Sequence, residues 1–501
     1  MDPFFINSLG SITDSKTSIK WESDQFREEI LRRTNFYSAE GVKANSNVAI
    51  IHNNNNNFFA DLFALWILGA CVACLDQDIG ESEFLGLCDK FKFKFGFING
   101  TIPQKLKKID LAIPLINSEY AYKYEPKLIF RPVSYDDPAL ILFTSGSTGL
   151  PKGVVHTRRT LQSKWLFLRN HMPIEVCENT LCALPTHFGH GLICNSLYPL
   201  VNGKNLVLMP KADLNNLLNL SKIIDQYSIT FMSSVAAMWR IILKVSPKPI
   251  NNSLKHINIG SAPLGGELWK SVQKWANSAC VWNTYGITET GSWIAGPSQA
   301  EKLIPSDGFI GKPWGGEIVV SSLNKLDDVR DIYSTLKPIY EKGYIWIRTP
   351  TLMQCYWQDR VQTNKVVNGS WFNTGDIGFF DENQNLVLSG RERNEINKGG
   401  MKISPEEIDL VIELHPEVLE ACTFSYQDNI LGENIGVCIV IKNADDTDGI
   451  NSSRMIEWCK EKISDYKIPS RWYLVRDIPK TSRGKVNRQN VSDFCSNLEV
   501  I

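Results

Sequence analysis

The sequence has almost no net charge: 53 lysine and arginine residues stand against 54 aspartate and glutamate residues, which gives −1 over 501 residues. Binding to nucleic acid or to anionic membrane surfaces needs a basic excess, so neither partner is expected. Residues Met1 to Phe4 provide no basic segment ahead of a long apolar run, and no secretory signal peptide is predicted. The most apolar stretch, residues 58–75, contains Asp61 and Gly69 and favours a buried helix and strand over a membrane span.

Cysteine gives no sign of a metal site. The twelve cysteines are scattered, and the one Cys-x-x-Cys, formed by Cys71 and Cys74, has neither a second pair nor a histidine close by. A zinc site is therefore not expected, and reduced thiols in a cytoplasmic protein explain the pattern better. With 43% hydrophobic and 21% charged residues, the composition is that of a globular protein. A length of 501 residues exceeds one typical core and predicts at least two domains.

The sequence does contain a stretch suited to phosphate. The apolar run Leu140 to Phe143 predicts a buried strand, and small hydroxyl and glycine residues follow it directly. Glycines let backbone N–H groups turn toward a bulky anion, while hydroxyls and an ammonium supply further donors. The stretch is not a Walker A loop, because Pro151 precedes the lysine and Gly153 follows it. A flexible linker is the alternative. The residues that predict a polyphosphate site are Thr144, Ser145, Gly146, Ser147, Thr148, Gly149 and Lys152.

Residues 144–153 resemble the phosphate-binding signature of the adenylate-forming superfamily, which comprises acyl- and aryl-CoA ligases, nonribosomal-peptide adenylation domains and luciferases. Similar blocks follow in order as far as Lys485, so the resemblance covers nearly the whole chain. It implies an α/β fold, with a large N-terminal domain of parallel and mixed sheets over residues 1–390 and a small, mobile α+β lid over residues 391–501. The apolar runs at 48–51 and 71–75 predict strands, and the spacing of Leu161, Trp165 and Leu168 predicts a helix face, as does that of Ile408, Val411 and Ile412 in the C-terminal domain. Strands that alternate with helices indicate a parallel sheet.

The second strong block runs from Asn283 to Thr290. By resemblance, Tyr285 packs against adenine, Thr288 contacts phosphate and Glu289 holds Mg²⁺. The chemistry fits, because an aromatic face can stack on a base and a carboxylate oxygen is the hard ligand that Mg²⁺ prefers. The resemblance also implies that Asp376 accepts hydrogen bonds from both ribose hydroxyls. Further nucleotide contacts are implied for Ser261 and Ala262, beside the adenine, and for Arg391, near ribose or phosphate.

The segment from Pro185 to Leu192 resembles the one that lines the carboxylate-substrate pocket in the family. Residues 181–200 contain no aspartate or glutamate. An ammonium in a dry pocket without a partner is costly, so an α-amino acid substrate is not favoured. The pattern is closer to that of aryl- and acyl-CoA ligases. Histidines satisfied by backbone are the alternative for His187 and His190. The implied pocket residues are His187, Phe188, Gly191 and Gly286.

The C-terminal blocks carry the remaining implied residues. Arg393 stands at the hinge between the domains, where relatives commonly have aspartate or lysine. Gly400 and Lys402 lie in a block that resembles the one used in the thiol half-reaction, with a plain hairpin turn as the alternative. Lys485 matches the terminal catalytic lysine, for which a basic surface loop is the alternative. A further departure is Cys355, at a position where relatives commonly have glycine.

The resemblance implies an enzyme that uses ATP and Mg²⁺ to convert an aryl or acyl carboxylic acid to an acyl-adenylate, with release of pyrophosphate. The implied catalytic residues are Thr288, Glu289 and Lys485, the last between the carboxylate and the α-phosphate. The lid then turns near Arg393, and the acyl group passes to a thiol, either CoA or the phosphopantetheine of an acyl- or peptidyl-carrier protein acting in trans. Alternatives are an amide ligase that uses an amine, an amino-acid adenylation enzyme, a luciferase-type oxidoreductase and a binding protein without activity.

Overall fold

The computed structural model of the protein describes residues 8–52, 54–77, 79, 81–103, 106, 113–129, 132–144, 152–210, 212–262, 264–277, 279–298, 304–324, 332–391, 396–398, 401–428, 431–442, 451–460, 462–463, 467–481 and 485–501. The chain divides into two compact units, one made of Met1–Ile318 and Ile347–Phe372 and the other of Val319–Trp346 and Asn373–Ile501. The predicted division at residue 390 concerns a moving lid, and it stays a prediction.

The strands, in chain order, are β1 Ile12–Asp14, β2 Lys20–Trp21, β3 Asn47–Ile51, β4 Cys71–Leu75, β5 Phe95–Ile98, β6 Leu115–Asn117, β7 Pro138–Thr144, β8 Lys152–Thr157, β9 Asn179–Cys182, β10 Asn205–Leu208, β11 Phe231–Ser234, β12 His256–Gly260, β13 Cys280–Ile287, β14 Ser292–Gly296, β15 Phe309–Pro313, β16 Glu317–Ser321, β17 Gly343–Arg348, β18 Cys355–Tyr356, β19 Val367–Asn368, β20 Trp371–Phe380, β21 Leu386–Arg391, β22 Ile396–Lys398, β23 Met401–Ile403, β24 Val418–Asp428, β25 Gly432–Ile441 and β26 Arg471–Leu474.

The α-helices are α1 Ser23–Ala39, α2 Asn56–Ile67, α3 Glu81–Phe91, α4 Arg158–His171, α5 Tyr198–Val201, α6 Leu214–Leu218, α7 Leu220–Gln226, α8 Ala236–Val245, α9 Gly266–Trp275, α10 Arg360–Val366, α11 Pro405–Glu413, α12 Ser452–Lys460 and α13 Arg488–Cys495. A π-helix covers His190–Leu197, and 3₁₀ turns cover Ser118–Lys123, Ile174–Cys177, Thr288–Thr290 and Ile332–Thr335.

Two large sheets organise the first unit. One has the order β18-β8-β7-β4-β3-β5-β6; it is parallel from β7 to β6, whereas β8 pairs antiparallel with both β7 and β18. The other runs β15-β14-β13-β12-β11-β9-β10-β1-β2 and is parallel from β13 to β1. Parallel strands with intervening helices are the architecture that the alternating apolar runs predicted, so the predicted α/β class is confirmed.

Helix α2 explains the apolar stretch in the first quarter of the chain. Its N-cap is Asn55, whose side chain accepts a hydrogen bond from the Phe58 N–H at 2.9 Å. Every side chain from Phe58 to Trp66 is buried, as a helix that is apolar on all faces requires. Among the described residues, no helix combines the length and the apolar character needed to cross a bilayer.

Asp61 of this helix lies in a buried ionic cluster. It accepts hydrogen bonds from Arg33 Nη1 at 2.6 Å and from the Tyr37 hydroxyl, and its other oxygen lies 2.8 Å from His52 Nε2. Burial raises the pKa of Asp61, but these three partners outweigh burial and hold the pKa below its usual value. The charge in this apolar helix is therefore balanced inside the core by residues of α1 and by the residue that follows β3.

The second unit is a smaller α+β structure. Strands β16, β17, β20 and β21 are neighbours in that order, and β23-β22-β25-β24 form a further sheet with β26 beside β25. Helix α11, whose position the apolar spacing predicts, buries Ile408 and Ile412, and α12 buries Met455 and Cys459. These side chains form one apolar cluster with β25 and β26, which gives this unit a core of its own.

The buried residue His256 makes the stability of the first unit sensitive to acid. Its ring meets that of Trp282 edge-on, with centroids 4.4 Å apart, and its Nε2 lies 2.8 Å from Asn258 Oδ1. Burial lowers the pKa of His256 to about 4, whereas an unfolded histidine titrates near 6.5. The unfolded chain therefore binds this proton first as the pH falls. From this residue we expect the free energy of unfolding to decrease by about 2 kcal/mol between pH 7.5 and 5.0.

Urea unfolding of the wild type and of His256→Gln at these two pH values measures the effect. The variant is expected to lose about 2 kcal/mol less stability on acidification than the wild type. Equal losses in the two proteins would contradict the assignment of His256 as a buried neutral group.

Candidate active site

The hairpin of β7 and β8 carries the predicted phosphate loop. Thr144 ends β7, Lys152 begins β8, and the two residues are register partners in the antiparallel pair. The chain therefore leaves and re-enters the sheet at one point, as a loop that surrounds an anion requires. The described residues do not include Ser145, Gly146, Ser147, Thr148 and Gly149, whose contacts stay predictions.

Tyr356 contacts both the lysine of this hairpin and the predicted metal ligand. Lys152 Nζ lies 5.2 Å from the centre of the Tyr356 ring, within the range of cation–π attraction. The Tyr356 hydroxyl donates a hydrogen bond to Glu289 Oε1 at 2.6 Å. Strand β18 holds the tyrosine in place by pairing with β8. One tyrosine side chain thus brings together the ammonium of Lys152 and the carboxylate of Glu289.

The 3₁₀ turn Thr288–Thr290 presents Glu289. It ends at Gly291, whose φ of 67° lies in the left-handed region that glycine adopts readily. His156 Nε2 donates a hydrogen bond to the Thr288 carbonyl at 2.8 Å. Burial lowers the pKa of His156 to about 4, so the ring is neutral at pH 7. Its proton is on Nε2, because a carbonyl can only accept. The predicted pair Thr288 and Glu289 therefore stands on a backbone that β8 helps to fix.

The chemistry of Glu289 fits a magnesium ion. Mg²⁺ in nucleotide sites is commonly bound by one or two carboxylates together with phosphate oxygens and water. Among the residues that the structure describes, no group of three or more His, Cys, Asp or Glu side chains could enclose a metal by itself. A carboxylate such as Glu289 suits a metal ion that also binds phosphate oxygens and water.

The predicted adenine contacts lie in β13 and directly after its parallel neighbour β12. Gly260 of β12 and Thr284 of β13 are register partners, so Ser261 and Tyr285 come next at the same edge of the sheet. Ser261 has a positive φ of 65°, and Ala262 beside it is exposed. Tyr285 is 6% exposed, so a base could meet only a small part of its ring. The register thus places these residues together, and their contact with adenine stays a prediction.

The predicted acid-binding segment continues into the π-helix His190–Leu197, which no pattern in the sequence indicates. All eight of its residues are buried, and π-helical turns are frequent at functional sites. Gly191 leaves no room for a side chain, because a Cβ there would stand 2.6 Å from the Pro185 carbonyl oxygen. Just ahead of this helix, the rings of His187 and Phe188 have centroids 4.6 Å apart. The fourth predicted pocket residue, Gly286, lies in β13.

Two further contacts of this segment join residues that are far apart in the sequence. His187 Nε2 lies 3.8 Å from Oδ2 of Asp76, which directly follows β4. His190 bridges two serine hydroxyls, with Ser261 Oγ 2.9 Å from Nδ1 and Ser233 Oγ 2.5 Å from Nε2. Both ring nitrogens of His190 therefore lie beside serine hydroxyls, and any part of this residue in the acid pocket stays a prediction. A carboxylate does stand beside the segment, although the segment itself contains none.

The predicted ribose ligand lies in the second unit. Asp376 is buried, its N–H donates to Thr374 Oγ1 at 3.0 Å, and its register partner across β20 and β21 is Arg391. The remaining predicted site residues lie outside the described part of the chain, either wholly (Arg393 and Gly400) or in their side chains (Arg391 and Lys402). Their roles stay predictions.

Two hydrogen bonds join Lys485 to Thr481. The Thr481 N–H donates to the Lys485 carbonyl at 2.8 Å, and the Lys485 N–H donates to Thr481 Oγ1 at 3.2 Å. Helix α13 begins soon afterwards with Arg488, which forms an ion pair with Asp409 at 2.7 Å. Lys485 is thus an exposed residue whose backbone N–H and carbonyl are both bonded, and its catalytic role stays a prediction.

Comparison with known proteins decides the family. Residues 15–357 match the model of the AMP-binding enzyme, and residues 407–485 match that of the AMP-binding enzyme C-terminal domain. The chain belongs to the AMP-binding enzyme family. The resemblance that the phosphate loop and the later blocks indicated is thereby confirmed.

Relatives of this AMP-binding enzyme include CoA ligases. It is 30% identical over 387 residues to an oxalate–CoA ligase of Arabidopsis thaliana, an alignment that covers 76% of this chain and 72% of that protein. It is 24% identical over 506 residues to a 2-succinylbenzoate–CoA ligase of Bacillus cereus (strain Q1), with 99% of both covered. These relatives are acid–thiol ligases, which confirms the predicted class of the enzyme.

Solved structures share the fold of this AMP-binding enzyme. An o-succinylbenzoate CoA synthetase of Bacillus subtilis in complex with ATP and a magnesium ion has a TM-score of 0.83 at 23% identity, covering 98% of this chain and 99% of that one. An amide bond synthetase of Marinactinospora thermotolerans has a TM-score of 0.84 at 19% identity, covering 98% of both chains. Both likenesses concern the fold, and they confirm the predicted architecture.

Proposed function

We propose that this enzyme uses ATP to convert an aryl or acyl carboxylic acid to an acyl-adenylate and then transfers the acyl group to the thiol of CoA. The proposal rests on one observation: Tyr356 contacts both Lys152 and Glu289 at the base of the hairpin formed by β7 and β8. An ammonium and a carboxylate there suit a triphosphate and its metal. The named relatives in the family are CoA ligases.

The first step activates the acid, because the oxide of a free carboxylate is a poor leaving group and AMP is a better one. A carboxylate oxygen bonds to the α-phosphorus, the bond from that phosphorus to the bridging oxygen breaks, and pyrophosphate leaves. The loop from Thr144 to Lys152 binds the β- and γ-phosphates, and Thr288 donates to phosphate. Glu289 would hold Mg²⁺, which would neutralise phosphate charge. Lys485 contacts the carboxylate and the α-phosphate, so positioning and charge carry most of the rate.

In the second step, the thiolate attacks the carbonyl carbon, the bond to the adenylate oxygen breaks, and AMP leaves. Between the steps, the lid over residues 391–501 turns near Arg393 and withdraws Lys485. The same motion brings Gly400 and Lys402 to the acyl group. A carboxylate such as Asp376 can hold both ribose hydroxyls through this exchange.

CoA is the favoured acceptor because of the named relatives. The phosphopantetheine of a carrier protein acting in trans is the alternative thiol. An amine, as in the amide bond synthetase of the same fold, is the second candidate. A cytoplasmic location suits the chain, since all twelve cysteines are free and ten of them are buried.

Pyrophosphate release across a panel of carboxylic acids tests the proposal. The panel contains oxalate, 2-succinylbenzoate, benzoate, short acyl acids and amino acids, each with CoA, without CoA and with hydroxylamine, which traps an adenylate. A signal from an aryl or acyl acid that needs CoA for full turnover supports an acid–CoA ligase. Activity with hydroxylamine but not with CoA indicates a carrier thiol or an amine. The absence of release with every acid overturns the proposal.

Tyr356→Phe is expected to weaken the use of MgATP. The change removes the hydroxyl that donates to Glu289 and keeps the ring beside Lys152. A hydrogen bond to a charged group contributes about 1.5–3 kcal/mol, so we expect kcat/KM for MgATP to fall roughly tenfold or more. Pyrophosphate release at varied MgATP measures it. Tyr227→Phe, which loses a hydroxyl 3.5 Å from Ser18 Oγ in the same unit, is the control. Unchanged kinetics in Tyr356→Phe would show that this contact does not position the carboxylate.

A further inference from the structure

The segment Thr288–Trp293 runs from the 3₁₀ turn that presents Glu289 into the first two residues of β14, and it is held by donors along its whole length. Gly291 and Ser292 both have positive φ values, 67° and 73°, and left-handed backbone is strained for a serine. Six consecutive carbonyl oxygens, from Thr288 to Trp293, accept hydrogen bonds. Their donors, in order, are His156 Nε2 at 2.8 Å, the Met353 N–H at 2.6 Å, Thr351 Oγ1 at 3.0 Å, Cys194 Sγ at 3.4 Å, Thr290 Oγ1 at 2.9 Å and Lys164 Nζ at 2.5 Å.

One of these donors, Lys164, is a buried charged residue. It lies on the buried face of α4, three residues after Leu161 and four before Leu168, and is 1% exposed. Burial lowers the pKa of its ammonium to about 8; among the described residues, the titratable side chain that opposes this is Cys194, not a carboxylate. A buried ammonium is costly unless it is hydrogen-bonded. The charge-assisted hydrogen bond to the Trp293 carbonyl therefore accounts for its place in the core.

Residues 152–164 form one continuous stretch of chain between the hairpin of β7 and β8 and Lys164. Lys152 begins β8, His156 lies further along the same strand, and α4 follows β8 directly. His156 and Lys164 bind the two ends of the Thr288–Trp293 segment, while Lys152 contacts the tyrosine that binds Glu289. Residues 152–164 thus contact both ends of the segment that carries Glu289 and the tyrosine bonded to its carboxylate.

We propose that Lys164 is a positioning residue for nucleotide activation. Its ammonium fixes the β14 end of the Thr288–Trp293 segment and thereby holds Glu289 at the distance from Lys152 that a metal–triphosphate complex needs. The inference rests on the proposed function in one respect, since it takes Glu289 as the residue that holds Mg²⁺. It uses neither the acid nor the acceptor, so it can be tested without them.

Calorimetric titration of ATP into the full-length protein, in Mg²⁺ and in EDTA and without any acid, tests the inference. Mg²⁺ is expected to tighten ATP binding to the wild type, and in Lys164→Met this gain is expected to shrink at least fivefold. The matched control is Leu168→Ala, which removes packing from the same helix without touching the turn. The control is expected to unfold at a lower temperature and to keep the Mg²⁺ gain within twofold.

Lys164→Gln separates positioning from packing. It keeps a donor for the Trp293 carbonyl, so it is expected to retain about half of the gain, which a role in packing alone would not restore. If Lys164→Met does not fold, a gain reduced about twofold in Lys164→Gln supports the inference, and an unchanged gain there overturns it.

The remaining outcomes distinguish the two proposals. A full Mg²⁺ gain in folded Lys164→Met, or equal losses in Lys164→Met and Leu168→Ala, overturns the inference and leaves the proposed function intact. A wild type in which Mg²⁺ does not tighten ATP binding, and which releases no pyrophosphate with any acid, overturns both.

Discussion

Replacement of Lys485 with alanine is expected to reduce acid-dependent pyrophosphate release by about 100-fold or more, while thioester formation from a supplied acyl-adenylate stays within about twofold. In the proposed mechanism the lysine neutralises charge on the carboxylate and the α-phosphate in the first step, and thiol attack follows its withdrawal. The two half-reactions are measured separately, the first as pyrophosphate release with hydroxylamine and the second as AMP release from a synthetic adenylate and CoA.

Lys480→Ala is the matched control for this loss. Lys480 lies in the same loop but forms an ion pair with Glu420 at 2.7 Å, so its removal takes away a charge of the same sign without the catalytic contact. Both half-reactions are expected to persist in the control. Survival of both in Lys485→Ala would mean that the basic surface loop, the alternative that the sequence left open, is the correct interpretation.

Glu289→Gln is expected to have the next largest effect, a loss of about 100- to 1,000-fold in pyrophosphate release at saturating ATP. Glutamine keeps the size of the side chain and can still accept from the Tyr356 hydroxyl. It removes the negative charge that a hard divalent ion requires. The experiment measures release at rising Mg²⁺, and the half-saturating Mg²⁺ concentration is expected to increase together with the loss of rate.

The matched control is Glu317→Gln. Glu317 is a glutamate of the same unit that forms an ion pair with Arg348, and it takes no part in the proposed site. Its change is expected to leave the Mg²⁺ dependence as in the wild type. An equal effect of the two substitutions would contradict the assignment of Glu289 as the metal ligand.

The sequence predicted those parts of the fold that depend on local pattern. The apolar runs at 48–51 and 71–75 are strands β3 and β4, and the spacing of Leu161, Trp165 and Leu168 marks the buried face of α4. Hydrophobic periodicity reports burial directly, which explains these successes. The nucleotide residues came instead from resemblance to a family, because no periodicity distinguishes a phosphate loop from a linker.

Contacts between distant segments could not be predicted in this way. Asp76 reaches His187 only because β4 ends near the acid-binding segment, and His190 meets one serine of β11 and another that directly follows β12. The π-helix has an apolar sequence that a strand or an α-helix could equally use. Lys164 did leave a signal, since a lysine three residues after Leu161 falls on the apolar face of α4.

The most direct test of acid activation through an adenylate follows an isotope. The acid that gives the fastest pyrophosphate release is labelled with ¹⁸O in its carboxylate and turned over with ATP and CoA, and the AMP is analysed by mass spectrometry. Because a carboxylate oxygen bonds to the α-phosphorus and stays there when the thiol displaces AMP, the proposed mechanism predicts one ¹⁸O atom in each AMP. AMP without label, or label in inorganic phosphate, would contradict it.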